Sequence, residues 1–324
     1  MTPPSHPSRP SRPGRLSRPG RLSRPGRPGH PGHPSRPDRP IHRSREAALA
    51  IERCYLEVLE RWPVPAERLR VPTRLGETFV LASGPRDAPA VLLLHGSAAT
   101  SAMWLGDVAA WSRRLRVYAV DLVGEPGLSA PARPPLDGDA YAGWLDDVLD
   151  GLGAGPGERV SFVGLSLGGR IALDYAARRP ERTARVALLC PSGIGPQRSL
   201  PLLGVLPLLL MGDAGRRRAL RRLLGAEVRG MAGGPLAELT TLIHRGFRPR
   251  RGKVPLLPDD ALRRVTAPLL VIAGGRDAML DSHGTRRRLA RVLPGADVRL
   301  LPEAGHLLPP QTRPVLEFLE DRRT

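Results

Sequence analysis

The chain has 324 residues, 41% of them hydrophobic, which is long enough to bury a full core, and it carries a formal net charge of +19 with only two cysteines. Cys54 and Cys190 lie far apart and form neither a disulfide framework nor a metal-ligand spacing. No run reaches the roughly 18 apolar residues of a membrane span, and the absence of an apolar signal core near the N-terminus makes the cytoplasm the expected location.

The charge is unevenly placed. Residues 1–45 hold eleven arginines against one acid, Asp38, so this stretch alone supplies +10. Lys253 is the only lysine, and an almost pure arginine bias can arise from a GC-rich genome without functional selection, which lowers the weight of a nucleic-acid reading. Residues 1–40 repeat Ser-Arg-Pro-Gly-Arg-Leu and its fragments, with almost nothing apolar to bury, so residues 1–44 read as a disordered tail or as the product of an upstream start codon. Clustered arginines are also the chemistry of a polyanion-binding arm. The arm holds no aromatic side chain that could stack on bases, which weighs against nucleic acid.

The ordered domain is expected over 45–324. Ala47, Ile51, Leu56 and Leu59 start a helical pattern that Pro63 stops, and two short strands follow at Leu69–Arg74 and Thr78–Ala82. Val91–Leu94 is a continuous apolar run ending at His95-Gly96-Ser97, the pattern of a strand buried on both faces of a parallel sheet. Arg116–Asp121 gives the next strand and Gly124-Glu125-Pro126-Gly127 the loop after it. Tyr141, Trp144, Leu145, Val148 and Leu152 recur at three- and four-residue spacing, predicting an amphipathic helix.

Val160-Ser161-Phe162-Val163 then leads into Gly164-Leu165-Ser166-Leu167-Gly168-Gly169 and a helical pattern ending at Pro180. Strand, sharp turn and helix around Gly-x-Ser-x-Gly is the context in which a serine is held strained and exposed as a nucleophile. Val186–Cys190 repeats the buried-strand signal. From about 195 to 265 no buried strand occurs, and this segment predicts a helical cap over the strand ends. It contains the proline-broken apolar run Leu200–Met211, suited to line an acyl cavity or to pack on the core, and the arginine cluster Arg216–Arg222, read as a solvated helix face. Leu269–Ile272 restores the sheet before Gly274-Gly275-Arg276-Asp277. Asp297–Leu301 precedes Glu303-Ala304-Gly305-His306, and Val315, Leu316 and Phe318 mark a closing helix. Alternating strands and helices of this kind make one α/β domain with a largely parallel sheet.

A serine hydroxyl is a poor nucleophile near neutral pH and needs a histidine to take its proton and a carboxylate to fix that histidine. Ser166, Asp277 and His306 occur in the order Ser, Asp, His, each just after a predicted strand. His6, His30, His33 and His42 lie in the tail, His95 in the early turn and His244 in the cap, while His283 follows Asp277 too closely to pair with it. Asp281 is the rival acid. It also suits the N-cap of a helix over Ser282–Val292, and Asp277 is preferred because it is nearer the strand end. Donors for a developing oxyanion are expected from the backbone amides of Leu167 and Ser97.

Leu92-Leu93-Leu94-His95-Gly96, Ser101-Ala102-Met103-Trp104, Tyr118-Ala119-Val120-Asp121, the elbow at Ser166 and Ala304-Gly305-His306-Leu307-Leu308 together resemble the serine hydrolases of the α/β-hydrolase superfamily, in particular its bacterial carboxylesterase-like group. The resemblance covers about residues 50–320. It implies a mostly parallel sheet of about eight strands with helices on both faces, cofactor-free cleavage of small-molecule esters through an acyl-enzyme, and the roles given above. Superfamily members with an aspartate nucleophile are set aside by Ser166. Cofactor-free haloperoxidases and carbon–carbon bond hydrolases keep the serine triad and stay open, as does a noncatalytic ligand receptor on the same scaffold.

Overall fold

The computed structural model describes residues 40–155, 157–198, 208, 211–212, 215, 218–219 and 234–321. Residues 1–39 of the tail, most of Leu200–Met211 and most of Arg216–Arg222 therefore lie outside the described residues.

Eight strands make one sheet: β1 (Ala66–Val71), β2 (Thr78–Ser83), β3 (Ala90–Leu94), β4 (Arg116–Val120), β5 (Val160–Leu165), β6 (Thr183–Leu189), β7 (Leu269–Gly274) and β8 (Asp297–Leu301). Their spatial order is β1-β2-β4-β3-β5-β6-β7-β8. β2 pairs antiparallel with both β1 and β4, and every pairing from β4 to β8 is parallel. Parallel strands put all their C-terminal ends on one edge, so His95, Ser166, Asp277 and His306 follow strands that finish on the same side.

Side-chain alternation along the strands builds two cores. Leu92 and Leu94 join one buried cluster with Val120, Phe162, Val186 and Val271, whereas Val91 and Leu93 join the other with Ala119, Val163, Ala187 and Ile272. The first is covered by α3 (Ala140–Gly151), α4 (Leu167–Arg178), α6 (Asp259–Arg263) and α7 (Ser282–Val292). The second is covered by α1 (Arg45–Leu59), α2 (Leu105–Trp111), α5 (Gly234–Gly246) and α8 (Thr312–Glu320). Both faces of the central strands are dry, which is why Val91–Leu94 is apolar without interruption. All four of its side chains are 0% exposed, and trimming any one leucine to alanine would cost about 2–5 kcal/mol.

Most expected elements form, with shifts that have local causes. The first strand runs from Ala66 to Val71 rather than Leu69 to Arg74, because Val71 pairs with Thr78 at the end of the ladder and the next residue is Pro72, which has no N–H to donate. Ser101–Trp104 is a 3₁₀ turn capped by Thr100 that runs directly into α2, a helix the sequence reading left unassigned. Ser44 caps α1 by accepting from the Ala47 amide, as the expected start near Ser44 requires. Contact with the domain nevertheless begins earlier: Ile41 is buried, the Arg248 amide donates to Ile41 O at 2.8 Å, and the Arg43 amide donates to Gly246 O at 2.7 Å. Within the insertion expected at about 195–265, the described helix α5 sends Leu239 and Ile243 into the same cluster as Ile51 of α1.

Candidate active site

β5 ends at Leu165 and α4 begins at Leu167, so Ser166 forms the turn by itself. Its φ of 50° and ψ of −108° are a backbone conformation that costs a non-glycine residue about 1–3 kcal/mol. Two glycines let neighbouring chain approach closely enough to hold it there. A Cβ on Gly164 would lie 2.6 Å from Gly169 Cα, and one on Gly168 would lie 2.1 Å from the Leu94 carbonyl oxygen. The Ser166 amide donates to Leu189 O at 3.0 Å. Its carbonyl accepts from the Arg170 amide at 3.0 Å and from the amide and hydroxyl of Ser192, each at 3.1 Å. The strain at the serine is thus fixed by the ends of the neighbouring strand and the first turn of α4.

His306, in the loop after β8, faces this serine. Ser166 Oγ lies 3.2 Å from His306 Nε2, and His306 Nδ1 lies 2.7 Å from Asp277 Oδ2. A carboxylate only accepts, so Nδ1 carries the proton and Nε2 is left to accept from the serine hydroxyl. The second oxygen of Asp277 accepts from the amides of Met279 at 2.7 Å and Leu280 at 2.9 Å. Asp277 and His306 are buried and Ser166 half-buried.

Asp281 is elsewhere. It is the N-cap of α7, accepting from the Gly284 amide at 3.0 Å and pairing with Arg198, and that amide bond is the main cause that lowers its carboxyl. Cys190 sits behind the Asp277–His306 pair in a left-handed conformation, φ 41°. Burial, followed by the nearby Asp277 charge, pushes its thiol up to about 12, so it packs there as a neutral side chain.

The turn after β3 closes the other side. A Cβ built on Gly96 would lie 3.6 Å from Ser166 Cβ, which places the Gly96-Ser97-Ala98 turn against the serine. Leu167 is the first residue of α4, so its amide has no intrahelical acceptor. His95 is structural: its Nε2 accepts from the Leu122 amide at 2.9 Å while Nδ1 donates to Gly96 O at 2.8 Å, and burial lowers its basicity.

Two contributors were not singled out from sequence. Glu125, read only as part of a loop, is 1% exposed, and its Oε2 accepts from the Ala98 amide at 2.7 Å and from Ser97 Oγ at 3.2 Å. Burial pushes its carboxyl up to about 7 despite the Ala98 hydrogen bond and the charges of Arg133 and Arg250, which pull it down. Gly124-Glu125-Pro126-Gly127 carries no sequence signal that this acid is buried. The other is Arg170, whose guanidinium ties α4 to the carbonyls of Leu136 and Pro255 and faces Asp174.

Comparison with known proteins identifies the family of the fold. A family model described as the alpha/beta hydrolase family matches residues 91–321. Carboxylesterase YbfK of Bacillus subtilis is 31% identical over 271 residues, covering 81% of this chain and 89% of that protein. A second B. subtilis protein, the uncharacterized carboxylesterase nap, is 32% identical over 265 residues, covering 78% and 85%. The crystal structure of carboxylesterase CesB (YbfK) superposes with a TM-score of 0.72 at 30% identity, covering 85% of this chain and 99% of that one. The chain therefore belongs to the alpha/beta hydrolase family.

Proposed function

We propose that the protein is a serine carboxylesterase that cleaves esters of small or medium acyl chains through an acyl-enzyme. The observation that carries this is the continuous hydrogen-bonded line from Ser166 Oγ through His306 to Asp277, at 3.2 and 2.7 Å. The names of the two B. subtilis relatives support the ester as substrate.

In this reading Ser166 Oγ attacks the ester carbonyl as His306 Nε2 takes its proton, and Asp277 stabilises the imidazolium and keeps Nδ1 protonated. Negative charge developing on the carbonyl oxygen is met by the amides of Leu167 and Ser97. The N-terminal end of α4 adds its partial positive charge. His306 then hands the proton to the departing alcohol. In the second half it takes a proton from water, which attacks the acyl carbonyl and releases the acid and Ser166. The serine needs no rearrangement, since its strained backbone is already held by Leu189, Arg170 and Ser192.

Haloperoxidase and carbon–carbon hydrolase chemistry use the same three side chains. Similarity to a 2-hydroxy-6-oxo-6-phenylhexa-2,4-dienoate hydrolase from Rhodococcus, at 22% identity and a TM-score of 0.57, concerns the fold. A receptor without activity has no use for a strained serine aligned on an imidazole. A panel of p-nitrophenyl esters from acetate to palmitate, run on wild type and Ser166→Ala, tests the proposal. Turnover that peaks at short or medium chains and vanishes in the variant is expected. Turnover surviving in Ser166→Ala would place the chemistry elsewhere.

A further inference from the structure

The loop between β4 and α3 presents Glu125 to the turn that carries Ser97, and it is built to hold that carboxylate still. Asp121 Oδ1 accepts from the Ser101 amide, the Ser101 hydroxyl and the Tyr55 hydroxyl at 2.8, 2.7 and 2.9 Å. Its Oδ2 accepts from the Leu128 amide at 2.8 Å. Within the loop, the Gly124 amide donates to Ala130 O at 2.8 Å, and Arg133 Nε donates to Gly124 O at 2.7 Å. Glu125 is therefore fixed on both sides.

Its target is a strained segment. Ala98 has φ 55°, one of three non-glycine residues with positive φ among the described residues, and Ser166 is another. A left-handed alanine persists only when its surroundings over-determine it. Here the Ala98 amide is held by Glu125 Oε2, and the same oxygen accepts from Ser97 Oγ. Both residues of the turn beside the serine are thus tied to one buried carboxyl oxygen.

Resting on the esterase reading above, we infer that Glu125 is a positioning residue that holds the Ser97–Ala98 turn so that the Ser97 amide points at the oxyanion. Arg133, Arg250 and Tyr141 are the charged and titratable groups that act on the carboxyl from the surrounding segments. Neither arginine bonds the oxygen that holds the turn: Arg133 donates to Gly124 O, and Arg250 to Pro134 O and to the Tyr141 hydroxyl. Acceptance at Oε2 needs an oxygen, and it does not need a full negative charge. An amide oxygen would serve, whereas a thioether of similar length would fill the space and offer no comparable acceptor.

The test compares full-length wild type, Glu125→Gln and Glu125→Met. It measures kcat and KM on the best p-nitrophenyl ester, affinity for a trifluoromethyl ketone that forms the tetrahedral adduct, and thermal melts. The expected result is that Met loses about 10²-fold in kcat and a similar factor in ketone affinity, with KM within about threefold, while Gln stays within about fivefold of wild type in all three. A role confined to folding would lower melting temperature without splitting kcat from KM. Equal turnover and ketone affinity for Met and Gln would overturn the inference. Folded wild type that cleaves no ester would instead sink the esterase reading, and this inference with it.

Discussion

His306 Nδ1 donates to Asp277 at 2.7 Å, whereas Asp281, four residues further on, caps a helix. Asp277→Asn should therefore cost on the order of 10⁴-fold in kcat, the size of the effect when a serine-protease histidine loses its carboxylate partner. Asp281→Ala should cost about 1 kcal/mol of stability as a lost cap and leave kcat within about threefold. Steady-state kinetics and melts on the two variants check this, and a larger rate loss for Asp281→Ala would move the acid.

Glu125 makes stability depend on pH in an unusual direction. Its carboxyl is raised from 4.5 to about 7 by burial, so between those values the folded protein binds more protons than the unfolded chain. Stability from this group is full below about 4.5 and lost as pH rises through about 7. Glutamine does not titrate. The stability of Glu125→Gln relative to wild type should thus rise by on the order of 2 kcal/mol between pH 5 and pH 8, measured by urea unfolding at each pH. A difference that stays flat would contradict the buried, proton-binding carboxyl.

His95 acts in the opposite sense. Burial lowers it from 6.5, and its Nε2 must stay unprotonated to accept from the Leu122 amide. The unfolded chain takes up the proton first, so stability from His95 is full above about 6.5 and falls as pH drops below that value. Replacing His95 with Gln, whose side-chain oxygen can accept from the same amide, should flatten the acid side of the stability profile. An unchanged acid limb would show that other groups control it.

Because Ile41 is buried and bridges to the end of α5, a chain starting at Pro40 should melt like the full protein. One starting at Ser44 should lose about 2–4 kcal/mol, from one buried isoleucine and two backbone hydrogen bonds. Loss of stability in the Pro40 form would show that residues 1–39 pack on the domain. If those arginines bind polyanions, the full chain should bind heparin or nucleic acid in a steeply salt-dependent way and the Pro40 form should not.

The three aligned side chains were legible because each follows a strand, and a parallel sheet brings such ends together whatever separates them in sequence. The choice of Asp277 over Asp281 could be argued from distance to the strand end, and the same distance from β7 sets the geometry that is found. Glu125 was not legible as a contributor, because its partners lie across β4 and β3 and nothing in Gly-Glu-Pro-Gly distinguishes a buried acid from a solvated one. Ile41 was hidden for a related reason: its hydrogen-bond partner Arg248 lies some two hundred residues away, and its own neighbours are tail-like in composition. The start of β1 was misjudged by three residues because its alternating exposure on an edge strand is a weak pattern, and the ladder with β2 sets its bounds.

In the proposed mechanism Ser166 is a nucleophile activated by His306. A fluorophosphonate probe applied to folded wild type and to His306→Ala, with the adduct located by peptide mass spectrometry, tests it most directly. The expected result is a single adduct on Ser166 in wild type and labelling slowed by about 10³-fold or more in the variant, because an unassisted hydroxyl is a poor nucleophile. An adduct on another serine, or equal labelling of Ser166 with and without the imidazole, would contradict it.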